Sequence, residues 1–359
     1  MSLSWTRREY PAGALSTGRH FCKDSYGNIY LFVSLTYTDK NRLYISSNNG
    51  DSWTNKGTIG TSTYTAAGIG IFDDNTLYAA INTGSTIYVY YSIDSGDTWT
   101  KTTNDPPTTF YYDPISNYVT LIHSRFFVAQ NRVYVMCHAN YTEIPMGMTI
   151  TSYTGSWADI TKAPLGNSIM LLANPPDGSV ILVKHGDGTP IWSGSGISFT
   201  EKTGAAVGFS STTNIIGFNS RCYAVGYNPN LLFKYSDNSG TTWSSSNNFP
   251  LVFTSGQNIY NIYVENNLLY LSAKSSNKAV VYQSDAAGTT ASMVELAAEG
   301  DFGVNPTYTI EIIISSGKII AAVFSSVLEI FNAILPISSV APTSVFYGPF
   351  LGCFGGPIQ

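Results

Sequence analysis

The side chains of this sequence that could do chemistry gather in four polar stretches. These are TYTDKNR (Thr36 to Arg42), NDPPTTFYYDPISNYVTLIHSR (Asn104 to Arg125), HANYTEIPMG (His138 to Gly147) and KHGDGTP (Lys184 to Pro190). Together they offer Asp39, Arg42, Tyr111, Tyr112, Asp113, Arg125, His138, Tyr141, Glu143, His185 and Asp187. Phenol rings among Asn, Asp and Ser provide a flat stacking face and hydrogen bonds at small entropic cost, which suits sugar rings. Loops of this composition are also ordinary solvated loops, and both readings stay open. Cys22, Cys137, Cys222 and Cys353 are scattered, with no CxxC spacing and no histidine in a zinc pattern. Free thiols, no metal and no cofactor are therefore expected.

Such loops need elements to hold them, and the composition points to strands. Charged residues make up only 11% of the chain, whereas Tyr alone numbers 25 and hydrophobic residues reach 43%. That leaves little material for charged amphipathic helices and favours strands joined by polar turns. The net charge of −5 and the lack of any basic cluster beyond Arg7-Arg8 argue against a nucleic-acid partner. The start, MSLSWTRREYP, has no apolar signal core, and no run approaches ~18 apolar residues. The expectation is synthesis in the cytoplasm without a signal peptide, and no membrane insertion.

Seven times an apolar run turns tightly into another: SYGNIYLFV, FDDNTLYAAI, AQNRVYVMC, PPDGSVILV, FNSRCYAVG, ENNLLYLSA and SSGKIIAAV. The markers Asn28, Asn75, Asn131, Gly178, Asn219, Asn267 and Gly317 lie 41 to 56 residues apart. Asn and Gly recur because a short hairpin needs residues that tolerate positive φ. Each unit continues into a third and a fourth strand, and four antiparallel strands per unit is the pattern of a propeller blade. The spacing predicts an all-β, seven-bladed propeller over residues 1–334. LSWTRREYP (Leu3 to Pro11) reads as a fourth strand lacking its first three. Residues 3–10 are therefore expected to complete the last blade beside residues 327–333 and close the ring.

Between third and fourth strands a second pattern recurs. SSNNGDSWT, SIDSGDTWT and SDNSGTTWS share the frame Ser-x-Asp/Asn-x-Gly-x-x-Trp, with weaker echoes at SGSGISFT and SDAAGTTA. Its members are Ser46, Asn48, Gly50 and Trp53; Ser92, Asp94, Gly96 and Trp99; and Ser236, Asn238, Gly240 and Trp243. Asn replaces Asp freely because an amide oxygen is still an acceptor, whereas a catalytic carboxylate would not tolerate the exchange. The frame is read as structural. It also fixes the geometry: these turns share one face, so the longer loops gather on the other.

The frame resembles the Asp-box, or BNR repeat, of sialidases and related β-propellers. That resemblance implies an arginine on the first inner strand, an acid Asp in the following loop, further arginines clamping a substrate carboxylate, and a Tyr-Glu nucleophile pair. Arg19 falls at the first of these, followed by His-Phe where the family has Ile-Pro. Asp39 sits in the loop expected for the acid, and Arg125 enters the third unit's inner strand similarly. No third arginine and no Tyr-Glu pair can be assigned. The preferred expectation is thus a non-catalytic recognition or assembly propeller that binds a glycan or cell-surface ligand, in a phage-type virion or tail setting. A sialidase-like exo-glycosidase using Arg19, Asp39 and Arg125, and a purely structural ring, are the alternatives. Residues 335–359 form an apolar tail without a charge, expected either to wrap the propeller or to mediate homo-oligomer or virion assembly.

Overall fold

The computed structural model describes residues 3–8, 15–35, 41–60, 65–82, 87–105, 109–111, 118–139, 146–159, 170–173, 180–184, 191–195, 198–202, 207–208, 211–218, 221–227, 231–244, 247–248, 259–265, 268–275, 278–284, 294–298, 301–304, 309–324 and 328–335. Among them, strands form seven antiparallel sheets. The chain begins with β1 (Thr6–Arg8). The first sheet comprises β2 (Leu15–Lys23), β3 (Ile29–Leu35), β4 (Arg42–Ser46) and β5 (Thr54–Thr58). The second comprises β6 (Thr65–Ile71), β7 (Leu77–Asn82), β8 (Ile87–Ser92) and β9 (Thr100–Lys101). The third comprises β10 (Thr109–Tyr111), β11 (Tyr118–Ala129), β12 (Arg132–Ala139), β13 (Met146–Ile150) and β14 (Ala158–Asp159).

The fourth sheet is built from β15 (Met170–Ala173), β16 (Val180–Lys184), β17 (Ile191–Ser195) and β18 (Ser198–Glu201). The fifth takes β19 (Ser211–Phe218), β20 (Arg221–Tyr227), β21 (Leu231–Ser236) and β22 (Asn247–Asn248). The sixth takes β23 (Ile259–Glu265), β24 (Leu268–Ser275), β25 (Lys278–Gln283) and β26 (Val294–Ala297). The last contains β27 (Thr309–Ser315), β28 (Lys318–Phe324) and β29 (Leu328–Ile334), with β1 pairing on its outer edge through Thr6↔Asn332, Arg7↔Phe331 and Arg8↔Ile330.

The strand sequences explain this layering. Second strands such as IYLFVSL and KIIAAVF are apolar without alternation because both faces of their sheet are covered. Third strands such as IYVYYS alternate buried with half-buried positions. Fourth strands are short and polar, which suits an edge facing water. Cys22, Tyr30 and Phe32 of the first sheet pack on Ile69, Ile71 and Leu77 of the second. Tyr78 and Val89 of the second then pack on Phe126 and Val135 of the third. Glycine lets the second and third sheets approach: a Cβ on Gly68 would lie 2.7 Å from Phe126, and one on Gly70 2.4 Å from Val128. A single apolar cluster joins Tyr270 and Val281 of the sixth sheet, Ile312 and Ile320 of the last, and Leu31 of the first. First strands are neighbours in order, β2 against β6, β6 against β11, β15 against β19, β19 against β23, β23 against β27, and β27 back against β2. The protein is an all-β propeller.

Two expectations are corrected. Asn104 to Arg125 is not simply a connecting loop: β10 and β11 are built from it, so the third sheet has five strands. The reason lies in TFY and YVTLI, whose β-branched and aromatic residues pair as a hairpin. In the first turn Gly27 (φ 87), not Asn28, takes the left-handed conformation, whereas Asn75, Asn131 and Gly317 do so in their turns (φ 64, 52 and 75). Gly178, Asn219 and Asn267 lie outside the described residues. Cys22 and Cys222 are buried thiols, neither of them in a disulfide.

Candidate functional site

Antiparallel order puts the turns between first and second strands, and those between third and fourth strands, at one end of every sheet. At this turn end three segments share one hydrogen-bond pattern. Ser46 Oγ accepts from Gly50 N–H (2.8 Å) and donates to Asn48 Oδ1 (3.0 Å), which accepts from Ser52 N–H (2.9 Å). Ser92, Asp94, Gly96 and Thr98 repeat it at 2.8, 2.7 and 2.9 Å. Ser236, Asn238, Gly240 and Thr242 repeat it at 2.8, 3.0 and 2.8 Å. The glycines have φ of 80, 83 and 83, and a Cβ on Gly96 would lie 2.7 Å from Leu43. Hydrogen bonds from the Thr98 hydroxyl and N–H, then from Ser92, hold Asp94 below the usual carboxylate range. Its oxygens are engaged by its own turn, as the exchange with Asn implies. Trp99 donates its indole N–H to Gly96 O (3.2 Å), while Trp53 tilts against Phe21 with ring centroids 6.1 Å apart. The indole N–H groups of Trp53 and Trp243 are buried without a hydrogen-bond partner.

The same turns are pinned to the neighbouring sheet. The residue after each frame glycine meets a group from the preceding fourth strand or its end: Asp97 meets Lys56, and Thr241 accepts from Lys202 Nζ (2.8 Å). Asp51 stands in that position in the first frame and meets Arg8 of β1 (2.9 Å), with Lys318 and Asn332 Nδ2 (2.8 Å) alongside. The Lys318 hydrogen bond, followed by Asn332 and the Lys318 and Arg8 charges, lowers the Asp51 pKa against the opposing effect of burial. Arg8, Lys56 and Lys202 each follow an aromatic residue by three positions, after Trp5, Trp53 and Phe199. Trp5 itself donates to Leu296 O (3.2 Å) and packs edge-on against Phe302 at 4.7 Å.

Near the centre of the turn end, Lys23 Nζ reaches Glu265 Oε1 (2.9 Å) and Ile314 O (3.1 Å), joining the ends of β2, β23 and β27. The Tyr263 hydroxyl donates to Glu265 Oε2 (3.4 Å). This is a Tyr-Glu contact, but it lies at the end opposite the candidate loops, with Glu265 already paired.

The candidate binding residues fall toward the other end. Arg19 lies in β2 and Arg42 opens β4, both registered on Val33 of β3. Tyr111 ends β10 opposite Tyr118. His138 is in β12 opposite His123, not in a loop, and Arg125 is opposite Met136. Beyond Leu121↔Ala139, the β10–β11 hairpin continues past the β12 pairing toward this end. Asp39, Tyr112, Asp113, Tyr141, Glu143, His185 and Asp187 lie outside the described residues. Among the described residues no group of three His, Cys, Asp or Glu side chains could hold a metal ion.

Sequence reasoning missed two repeats. Tyr30, Tyr78, Tyr134, Tyr223 and Tyr270 are buried in the second strands of the first, second, third, fifth and sixth sheets, each opposite the residue that precedes the frame position. Burial pushes Tyr134 up to about 12. The other is a divergent turn ending at Trp157, where Ile150 replaces the serine and Gly155 is one position late. Its Tyr153 stacks on Tyr91 at 4.0 Å, and Trp157 Nε1 donates to Asn104 O (2.8 Å). The signal was the Gly-Ser-Trp triplet.

No protein-family model matches the sequence, and no curated protein does. Solved structures are similar in fold. YCF48 bound to D1 peptide shares 13% identity over 94% of this chain and 97% of that one, with a TM-score of 0.59. Virginiamycin B lyase from Staphylococcus aureus shares 12% over 92% and 100%, with a TM-score of 0.61. Polysaccharide lyase Uly1 shares 9% over 92% and 92%, with a TM-score of 0.57. At these identities the likeness establishes the propeller fold.

Proposed function

We propose that the protein is a seven-bladed Asp-box propeller, closed by its N-terminal strand, that acts as a non-catalytic recognition module for a glycan or cell-surface ligand. The observation that carries this reading is the division of labour between the two ends of the sheets. Asp94 and its Asn equivalents are engaged in their own turns, and the sequence-predicted Arg, Tyr and His candidates fall toward the other end. Ring closure is supported by β1 pairing with β29 and by Arg8 taking the place that Lys56 and Lys202 take elsewhere. A virion or tail setting accords with the sparse charge. Against a sialidase-like mechanism stands the location of the Tyr263–Glu265 contact, at the end opposite the candidate loops.

The test is a glycan array with the intact protein, run beside turnover of a fluorogenic sialoside. Glycan binding without turnover is expected. Turnover abolished by Arg19→Ala would overturn the non-catalytic reading, and an array without any bound glycan would favour a purely structural ring.

A further inference from the structure

The chain contains a single Asn-Gly pair, Asn49–Gly50, and it lies in the first frame. The other two frames carry Ser95 and Ser239 at the position of Asn49. All three residues take positive φ (57, 57 and 51), as do the glycines that follow them. Glycine is required at position 50 twice over: its φ is 80, and a Cβ there would lie 2.6 Å from Ile320 Cγ1 of β28. Asparagine stands at position 49 in place of serine, and its Oδ1 accepts from the Ser315 hydroxyl at the end of β27 (2.8 Å). Asp51, next in the chain, meets Lys318 and Asn332 of the same sheet. Three consecutive residues of the first frame therefore rest on the last sheet.

Asparagine is a labile residue, most of all before glycine, where no Cβ shields the following nitrogen. The Gly50 nitrogen, having given its proton to solvent base, attacks Asn49 Cγ. A C–N bond forms, and the side-chain nitrogen takes up a proton and leaves as ammonia. Water then opens the cyclic imide. Cleavage at the side-chain carbonyl leaves aspartate, whereas cleavage at the main-chain carbonyl leaves isoaspartate and adds a methylene to the backbone. In the folded protein both reacting groups are engaged: Gly50 N–H donates to Ser46 Oγ (2.8 Å), and the Asn49 amide is held by Ser315. Asn49 is only half-buried, so a brief parting of the frame from the last sheet frees both groups in the presence of water.

We propose that Asn49 is a deamidation site guarded by the contact between the first and last sheets, and that its conversion loosens that contact. The product places a negative charge beside the Asp51 cluster. In its isoaspartyl form it also lengthens the backbone between Asn48 and Gly50, where the Ser46 bond and the Ile320 contact leave no slack. The frames with Ser95 and Ser239 cannot undergo this reaction. Among the three frames, conversion is confined to the one that rests on the last sheet. The inference does not depend on the identity of any ligand.

Peptide mapping of the full chain tests it, after incubation in mildly alkaline buffer with and without concentrated urea. Asn49 should convert roughly tenfold more slowly in the folded protein than in the unfolded chain, or slower still. Ser315→Ala removes the donor to Asn49 and should speed folded-state conversion several-fold, while Asn49→Ser, the residue of the other frames, should abolish it. The deamidated fraction, separated by its extra charge, should exchange amide hydrogens faster than the unconverted fraction at residues 46–52 and 315–320. Equal conversion rates in folded and unfolded chains would overturn the guarding role, as would a folded-state rate that Ser315→Ala leaves unchanged. Identical exchange in the two fractions would overturn the loosening.

Discussion

The two ends of the sheets are built by different rules. At the turn end, side chains recur from sheet to sheet with the same partners at nearly the same distances: Ser46, Ser92 and Ser236 onto a glycine N–H, and Arg8, Lys56 and Lys202 onto the next frame. At the other end Arg42, Tyr111 and His138 each occur once, with no counterpart one blade away. Repetition marks what every blade must do to stand beside its neighbour. Its absence marks residues under some other requirement.

If this contrast holds, substitutions at the turn end should cost stability, and those at the other end should cost binding. The largest loss is expected for Asp24→Ala. It strips a buried acceptor from the Tyr30 hydroxyl and two backbone N–H groups, at about 3 kcal/mol in urea denaturation. Asp51→Ala should cost about 2 kcal/mol and speed hydrogen exchange in β1 above all, because Arg8, Lys318 and Asn332 lose a common partner. Thr241→Ala, at the same frame position without a charge, should cost only about 0.5 kcal/mol.

A subtler effect separates the frames from one another. Asp94 and Asp51 have depressed pKa values, so their contributions are fully present above the unfolded carboxylate value of about 3.9 and fade as pH falls through their lower folded values. Thermal midpoints measured from pH 5 down should therefore fall, and Asp94→Asn should make that fall shallower. The side chains of Asn48 and Asn238 contribute nothing to it, since an amide does not titrate. The smallest stability change, within about 0.5 kcal/mol, is expected for Tyr141→Ala and Asp187→Asn. These should instead weaken glycan binding on the array; a loss of folding without a loss of binding would dissolve the contrast.

What the sequence disclosed follows the same division. The Ser-x-Asx-x-Gly-x-x-Trp frame was legible because its hydrogen bonds close within a few residues. Asn75, Asn131 and Gly317 were legible because positive φ selects them locally. The cation three places after an aromatic residue was not, since its partner belongs to the next sheet. The turn at Trp157 escaped because Ile150 and the displaced Gly155 break the frame while the fold tolerates both. The hairpin of β10 was hidden in a stretch whose prolines and asparagines read as loop. For the candidate site, residue types could be read directly, but where a strand residue stands depends on register, which shifts at every bulge, such as that between Leu15 and Arg19.

The antiparallel pairing of β1 with β29 has one more consequence. Thr6 lies opposite Asn332 and Arg8 opposite Ile330, so β1 starts beside the point where β29 finishes. Leu3 and Leu335 therefore emerge on one side of the disc. A label or linker attached at Leu3 or at Leu335 is therefore delivered to that side, and a molecule immobilised through either residue presents its opposite mouth outward.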